Sequence, residues 1–110
     1  MIPFILTVVD CLFCKIARGE IKADRIYENE SFFSIPDANP KTEGHSLIIS
    51  KKHFATFLDL PGSLEGDLVD CIKKTAVKLI EKKKCDGFNV LNNNFEVAGQ
   101  VVKHLHFHIL

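Results

Sequence analysis

Apolar and polar positions follow two rhythms along this chain. From residue 24 to residue 50 the pattern favours extended backbone. Asp24 to Glu28 and Ser31 to Ile35 read as two strands joined at Asn29-Glu30, and His45 to Ser50 as a third with Leu47, Ile48 and Ile49 as its buried part. Pro36, Asn39, Pro40 and Gly44 mark the loop before that third strand. Beyond Leu64 the spacing lengthens: Leu64, Leu68, Ile72, Ala76 and Leu79 or Ile80 recur with a helical period, while Lys73, Lys74, Lys78 and Lys82 take the outer face. Pro61-Gly62-Ser63 opens this helix with Ser63 as the expected N-cap, and Gly87 is its expected stop. Asp67 and Asp70 lie near its positive end and Lys82 to Lys84 near its negative end, as the helix dipole favours. Cys11 to Arg18 reads as a short helix ended by Gly19; Phe88 to Leu91 and Lys103 to Leu110 read as the fourth and fifth strands. Asn92 to Val101 is a polar loop carrying Gly99. The order predicts an α+β domain: a mainly antiparallel sheet with a long helix on one face.

The fifth strand brings chemistry into this picture. His104, His106 and His108 alternate with Leu105, Phe107 and Ile109. Strand side chains alternate between faces, so the pattern predicts three imidazoles on one face and an apolar set on the other. Imidazole serves as nucleophile, proton carrier or metal ligand near neutral pH. Residues two apart in a strand lie ~6.6 Å apart, so His104 and His108 stand about 13 Å apart and one ion cannot easily hold all three. Two of them sharing a metal with an outside ligand is one reading; division of labour is another. In the second, His106, flanked on both sides, is best placed as nucleophile, and a neighbouring imidazolium meets the charge that develops on a phosphate oxygen. A surface strand that merely happens to be rich in histidine is the bland alternative, and an improbable one when the chain has only five.

Composition narrows the classes. The chain has 110 residues, 46% of them hydrophobic, with a formal net charge of +0. Length and composition suit one ordinary globular domain. At this size folding buries roughly 60–70% of the unfolded surface, so pairing would help stability. A chain of zero net charge with dispersed Lys and Arg is not the pattern of a nucleic-acid binder, though it leaves room for a single-phosphate pocket. No apolar run reaches the ~18 residues of a membrane span. Residues 1–10 lack the basic start and small-residue cleavage site of an export signal and read as an N-terminal arm before a domain at 11–110, in a cytoplasmic protein. Without export, the sequon Asn29-Glu30-Ser31 goes unused. Cys71 and Cys85, placed within or at the end of one helix, would stand about 21 Å apart, too far to bridge. Cys11-x-x-Cys14 reads as metal, redox or chance.

The terminal run His-φ-His-φ-His-φ-φ, with φ apolar, resembles the signature of the histidine triad (HIT) family of nucleotide hydrolases and transferases. Cys11-Leu12-Phe13-Cys14-Lys15-Ile16 followed by Gly19-Glu20-Ile21 is similar to the start of its Hint-like branch. So are Ile26-Tyr27-Glu28, Asp37, Gly44-His45, Lys51-Lys52-His53, Leu91-Asn92-Asn93-Asn94 and Ala98-Gly99-Gln100. The resemblance implies a five-stranded antiparallel sheet with one long and one short helix, commonly paired as a homodimer. It implies cleavage of a purine nucleoside 5'-phosphoramidate, releasing AMP or GMP, through a nucleotidyl-histidine on His106. His108 and His45 would contact the phosphate and His104 would support them. Asp37 resembles the ribose-binding acid, and Asn93, Gly99 and Gln100 fall in the nucleotide-binding stretch. For relatives with this C-x-x-C the resemblance implies a structural zinc on Cys11, Cys14, His53 and His104, with no open position for substrate. Two positions depart from the pattern: Phe95 stands where glycine is common, and Val101 where a serine near the leaving group is common. They lend some weight to a nucleotide-binding or scaffold protein with little turnover, and a regulator holding metal on the triad itself is a third reading. A dinucleoside polyphosphate hydrolase is the alternative within the enzyme class, against which the C-x-x-C counts; a uridylyl-type transferase usually has Gln where this chain has His108.

Overall fold

The computed structural model describes residues 11–110; the expected N-terminal arm at 1–10 lies outside them. The described chain runs α1 (Leu12–Ala17), β1 (Tyr27–Glu28), β2 (Phe32–Pro36), β3 (Ser46–Ser50), α2 (Glu65–Glu81), β4 (Val90–Leu91) and β5 (His106–Ile109). The strands form one sheet in the order β1-β2-β3-β5-β4, every neighbouring pair antiparallel. The predicted α+β class, five-stranded sheet and two helices are all present.

Register sorts the side chains by face. Phe107 lies opposite Ile48 on β3, which lies opposite Ser34 on β2. Phe32, Ile48, Leu105, Phe107 and Ile109 join Leu68, Cys71 and Leu79 in a core beneath α2. The apolar stripe of that helix, predicted from spacing, ends at buried Leu79 and leaves Ile80 exposed. The other row pairs His106 with Ile49 and His108 with Leu47. On that face a second core gathers Phe13 and Ile16 of α1 with Phe33, Ile35, Leu47 and Ile49. The two helices therefore cover opposite faces of the sheet, and the histidines of β5 belong to the face of the short one.

Several boundaries differ from expectation. Ser63 does not cap α2: Pro61 opens a 3-10 turn over Gly62–Leu64, and the helix begins at Glu65 with no side-chain cap. The turn already engages the first free backbone group, Leu64 N–H donating to Pro61 C=O at 3.0 Å. Nor does Gly87 stop the helix. Lys83 takes the left-handed conformation (φ 58°), and the amides of Lys83 and Lys84 close onto the carbonyls of Ile80 and Leu79 in a Schellman arrangement. Strand β1 is shorter than predicted because Arg25 turns back and donates to the carbonyls of Ile16 and Ala17 at the end of α1. Strand β4 keeps only Val90 and Leu91 of the four expected residues, and β5 begins at His106 rather than Lys103. Cys71 is buried on the inner face of α2, Cys85 lies past the helix end, and all four cysteines are free.

Candidate functional site

The three triad histidines share the sheet face that α1 covers. His106 and His108 share a face of β5, their ring centroids 5.2 Å apart. His104 precedes the ladder, in a bend where its amide donates to Val102 C=O at 2.9 Å. The expected line of three imidazoles on one face is present: Phe13 of α1 meets both His104 and His106, while Leu105, Phe107 and Ile109 face the core under α2. Side-chain alternation thus continues one residue pair beyond the ladder.

His104 builds the first half of the site. His104 is fully buried, and its Nε2 lies 2.7 Å from the Ser50 carbonyl and 3.1 Å from the Ser50 hydroxyl. The hydroxyl donates to Lys52 C=O at 2.8 Å, so both Ser50 oxygens accept from His104 and its proton sits on Nε2. The Nδ1 lone pair then faces Cys11 Sγ at 3.2 Å and Cys14 Sγ at 3.5 Å. His53 Nδ1 lies 3.2 Å from Cys14 Sγ. The four donor atoms lie within 4.8 Å of one another. Two thiols and two imidazoles with lone pairs converging is the donor set of a tetrahedral zinc site, and the Ser50 carbonyl supplies the outer hydrogen bond that fixes a ligating ring. As free thiol, Cys14 is pushed up to about 12 by burial and by its neighbour Cys11. Burial, the largest cause, pulls His104 down to about 4, the neighbouring His53 and His106 adding to the effect; it lowers His53 too. A bound cation would reverse the penalty on the thiolates.

The second half hangs on the same residue. His106 Nδ1 lies 2.7 Å from the backbone carbonyl of His104. A carbonyl only accepts, so Nδ1 carries the proton and Nε2 keeps its lone pair. Phe13 stacks edge-on against the His106 ring at 5.0 Å and against His104 at 5.8 Å, fixing the ring plane. Asn92, at the end of β4, donates to the His106 carbonyl at 2.8 Å. Burial holds His106 below the ordinary histidine range, the hydrogen bond to His104 C=O opposing it. His108 is lowered by burial first and then by its histidine neighbours. A neutral imidazole with one nitrogen anchored and the other bare has a lone pair that can attack without a base.

His45 sits at 2.9 Å (Nε2) from His108 Nδ1, with Asp37 Oδ2 3.3 Å away. Its position depends on Gly44, which has φ +83° and faces Lys84 so closely that an added Cβ would meet the Lys84 carbonyl at 3.0 Å. Asp37 Oδ1 accepts from Asn39 N–H at 2.8 Å, a local loop bond.

The residues expected to bind nucleotide separate. Asp37 joins the histidine group. Gly99, at φ +97°, packs where an added Cβ would stand 3.8 Å from the Asn93 side chain. Gln100 is buried and uses its amide inside the protein: it accepts from Phe95 N–H at 2.7 Å and donates to the carbonyls of Ala55 and Val102. That clamp holds Phe95 at φ 71°, a conformation costly for a bulky residue. Val101 is 88% exposed. Sequence reasoning missed Ser50, Asn92 and the anchoring part of Phe13. Ser50 and Asn92 act by backbone carbonyl or to one, and no residue-type signal marks such roles.

Comparison with known proteins agrees with this geometry. The HIT domain model matches residues 18–110. An HIT-like protein of Methanocaldococcus jannaschii is 44% identical over 91% of this chain and 77% of its own length. An adenosine 5'-monophosphoramidase of Candida albicans is 39% identical over 91% of this chain and 68% of its own. An adenylylsulfatase of Arabidopsis thaliana is 40% identical over 92% of this chain, which spans about half (51%) of that protein. Among solved structures, an HIT family protein of Bacillus anthracis superposes with a TM-score of 0.86 at 36% identity, over 92% of this chain and 72% of its own. The family model, the relatives' sequences and the superposed structure agree, and the chain belongs to the HIT domain family.

Proposed function

We propose that this protein is a nucleotide hydrolase that cleaves purine nucleoside 5'-phosphoramidates through a nucleotidyl-histidine on His106. The observation that carries the reading is the His106 ring: Nδ1 anchored 2.7 Å from the His104 carbonyl, leaving Nε2 bare. In the reaction Nε2 forms a bond to the α-phosphorus as the phosphorus–nitrogen bond breaks, and the departing amine takes a proton from solvent. Water then attacks phosphorus, the Nε2–phosphorus bond breaks, and AMP or GMP leaves. Splitting one difficult displacement into two is the gain of covalent catalysis. The His108 ring stands next to His106 to meet charge on the phosphate oxygens; one well-placed donor is worth about 3–4 kcal/mol of barrier. Asp37 retains lone pairs for the ribose hydroxyls; Asn93 and Gly99, which lie side by side, would supply amide and backbone contacts to the phosphate.

The relatives named adenosine 5'-monophosphoramidase and adenylylsulfatase support a nucleotidyl conjugate as substrate. The same intermediate serves an amine or a sulfate leaving group, since neither bond to His106 depends on it. Exposed Val101 offers no hydroxyl to the leaving group, which favours conjugates that depart without such help.

Cys11, Cys14, His53 and His104 would hold a zinc ion. When bound, the ion supplies a structural cross-link and no open coordination position. Its tie to α1 would steady His104, and through the His104 carbonyl the nucleophile. The open edge at β4, with Val90 and Leu91 half exposed, is where a second copy would extend the sheet; sedimentation gives the mass that tests this. Among the described residues no helix is long and apolar enough to cross a membrane.

The decisive experiment incubates the protein with an AMP–amine conjugate, quenches in base and maps adducts by mass spectrometry. An adenylyl group on His106 and release of free amine are expected. Tight AMP binding with no adduct and no amine would establish a binding protein instead.

A further inference from the structure

Cys11 and Cys14 enclose Leu12 and Phe13 at the start of α1. Both sulfurs face one ring atom: His104 Nδ1 lies 3.2 Å from Cys11 Sγ and 3.5 Å from Cys14 Sγ. Every donor atom of the cluster lies within 4.8 Å of the others. The sulfurs therefore stand at most ~3 Å short of the ~2.05 Å of a disulfide. Cys11 precedes the helix in extended backbone (φ -71°, ψ 121°), and rotation of the two side chains supplies much of that closure. The thiols differ in access: Cys11 is half-buried and Cys14 buried. A reachable thiol backed by a buried one is the arrangement in which oxidation of the first ends in a cross-link to the second. Cys71, by contrast, is fully buried beside Thr75 and Ser34, and burial pushes its thiol up to about 11.

We propose that Cys11 and Cys14 form a reversible oxidation site, which a hydroperoxide closes to a disulfide and which, when closed, displaces Phe13 from the His106 ring. In the first step Cys11 Sγ attacks the terminal oxygen of the hydroperoxide. The O–O bond breaks, and the alcohol (water, for hydrogen peroxide) leaves with the thiol proton. Cys11 is then a sulfenic acid. Cys14 Sγ attacks the Cys11 sulfur, the sulfur–oxygen bond breaks, and water leaves with the Cys14 proton. Two thiols have given two electrons to the peroxide, and a thiol reductant reverses the change. A disulfide and a zinc ion are mutually exclusive uses of these atoms, because the metal takes thiolates and a disulfide has none. In a zinc-loaded chain oxidation expels the ion, and the two protons come from water.

The segment that the cross-link would close supports the histidine strand. Phe13, between the two cysteines, packs edge-on against His106 at 5.0 Å and His104 at 5.8 Å. His104, whose Nδ1 faces both sulfurs, offers its backbone carbonyl to His106 Nδ1 at 2.7 Å. Drawing the sulfurs together re-aims Phe13 and takes from His104 the partners of its Nδ1. Both supports of the His106 ring shift in one event. The effect on catalysis rests on the proposed hydrolase reading; the cross-link itself does not.

The experiment treats the native chain with hydrogen peroxide at neutral pH, alkylates the remaining thiols and maps the peptides by mass spectrometry. A chromogenic chelator reads released zinc. A Cys11–Cys14 cross-link is expected, reversed by dithiothreitol, with one zinc released per cross-link from the zinc-loaded chain; Cys71 stays a thiol. Both thiols still free, Cys11 carried to sulfinic acid without a cross-link, or a cross-link with zinc still bound overturns the proposal. These readouts need no turnover, so they decide the site even if the protein proves not to be a hydrolase. The His106 ring resonances in NMR are expected to move on oxidation, as the neighbouring Phe13 ring turns away. With an AMP–amine conjugate, the oxidised chain is expected to form the His106 adduct at least ~10-fold more slowly, and dithiothreitol with zinc to restore the rate. Cys85→Ser is expected to lose activity to peroxide as the native chain does, and Cys11→Ser to form no cross-link. Unmoved His106 resonances with an unaltered rate would overturn the link to Phe13.

Discussion

The two faces of the sheet bury polar groups to opposite ends. Beneath α2 the buried polar atoms close on one another. Thr75 donates to the Ser34 hydroxyl at 2.7 Å, which accepts from the Tyr27 amide at 3.1 Å. At the rim, the Tyr27 hydroxyl and the Asn29 amide both donate to Asp70, and Ser31 donates to Asp67. These bonds dock the helix on the β1–β2 hairpin, and no reactive atom is left over. On the α1 face the chain of bonds does not close. It runs from Ser50 to His104 and from the His104 carbonyl to His106, then stops at a bare nitrogen. Satisfied polarity holds a fold together; polarity left one bond short does chemistry.

The sharpest way to break this comparison is His106→Ala. Adduct formation should vanish and turnover fall at least ~10³-fold, while the α2 docking bonds remain. Retained turnover in a quench assay would mean that the open end of the chain is elsewhere.

Cys14→Ser comes next. Zinc measured by atomic emission should fall from one per chain to none, and the midpoint of thermal unfolding by at least ~5 °C. His108→Ala should keep its zinc, because the second histidine group lies outside the thiol cluster. A native chain that never carries metal, or a Cys14→Ser variant with unaltered unfolding, would reduce the thiol cluster to ordinary packing.

On the other face, Thr75→Val should cost about 1–2 kcal/mol in urea unfolding, the price of one buried hydroxyl losing its role as donor, and leave kcat unchanged. A change in kcat without loss of stability would show that the two faces are coupled.

The smallest effect is acid dependence. Asp70 is pulled down to about 2, first by the Tyr27 hydroxyl and then by Asn29 and Lys74. A carboxylate lowered on folding stabilises the native state above its unfolded value near 3.9. That contribution is lost as pH falls through the folded value. The urea midpoint of the native chain should therefore exceed that of Asp70→Asn at pH 6, and the two should converge toward pH 2. A constant gap would assign the difference to packing.

Much of the fold was readable from pattern. Of the predicted stripe, Leu68, Ala76 and Leu79 are buried and Leu64 and Ile72 pack half-buried against the core, where Cys71, outside the predicted spacing, joins them; Leu105, Phe107 and Ile109 face α2 as alternation requires. Boundaries were less readable. Lys83 occupies a left-handed seat that favours glycine because the turn it makes lets Lys84 pack against Gly44, a contact between residues 40 apart. Phe95 was marked by its departure from glycine; only the backbone and the Gln100 clamp reveal the positive φ it is held in.

By itself the sequence determined which residue types were available and which local elements they formed: the two helices, the five strands and the His-rich fifth strand with His106 at its centre. Periodicity is a local property, carried by covalent geometry from one residue to the next. Only the tertiary structure decided how close His104 comes to the thiols of Cys11 and Cys14. It also decided that Ser50 and Asn92 hold the segment of His104 and His106, and that the Lys41 amide sets the polarity of His45. Each of these depends on the direction of a hydrogen bond between segments distant in the chain, and a donor's direction is settled only when the partner arrives.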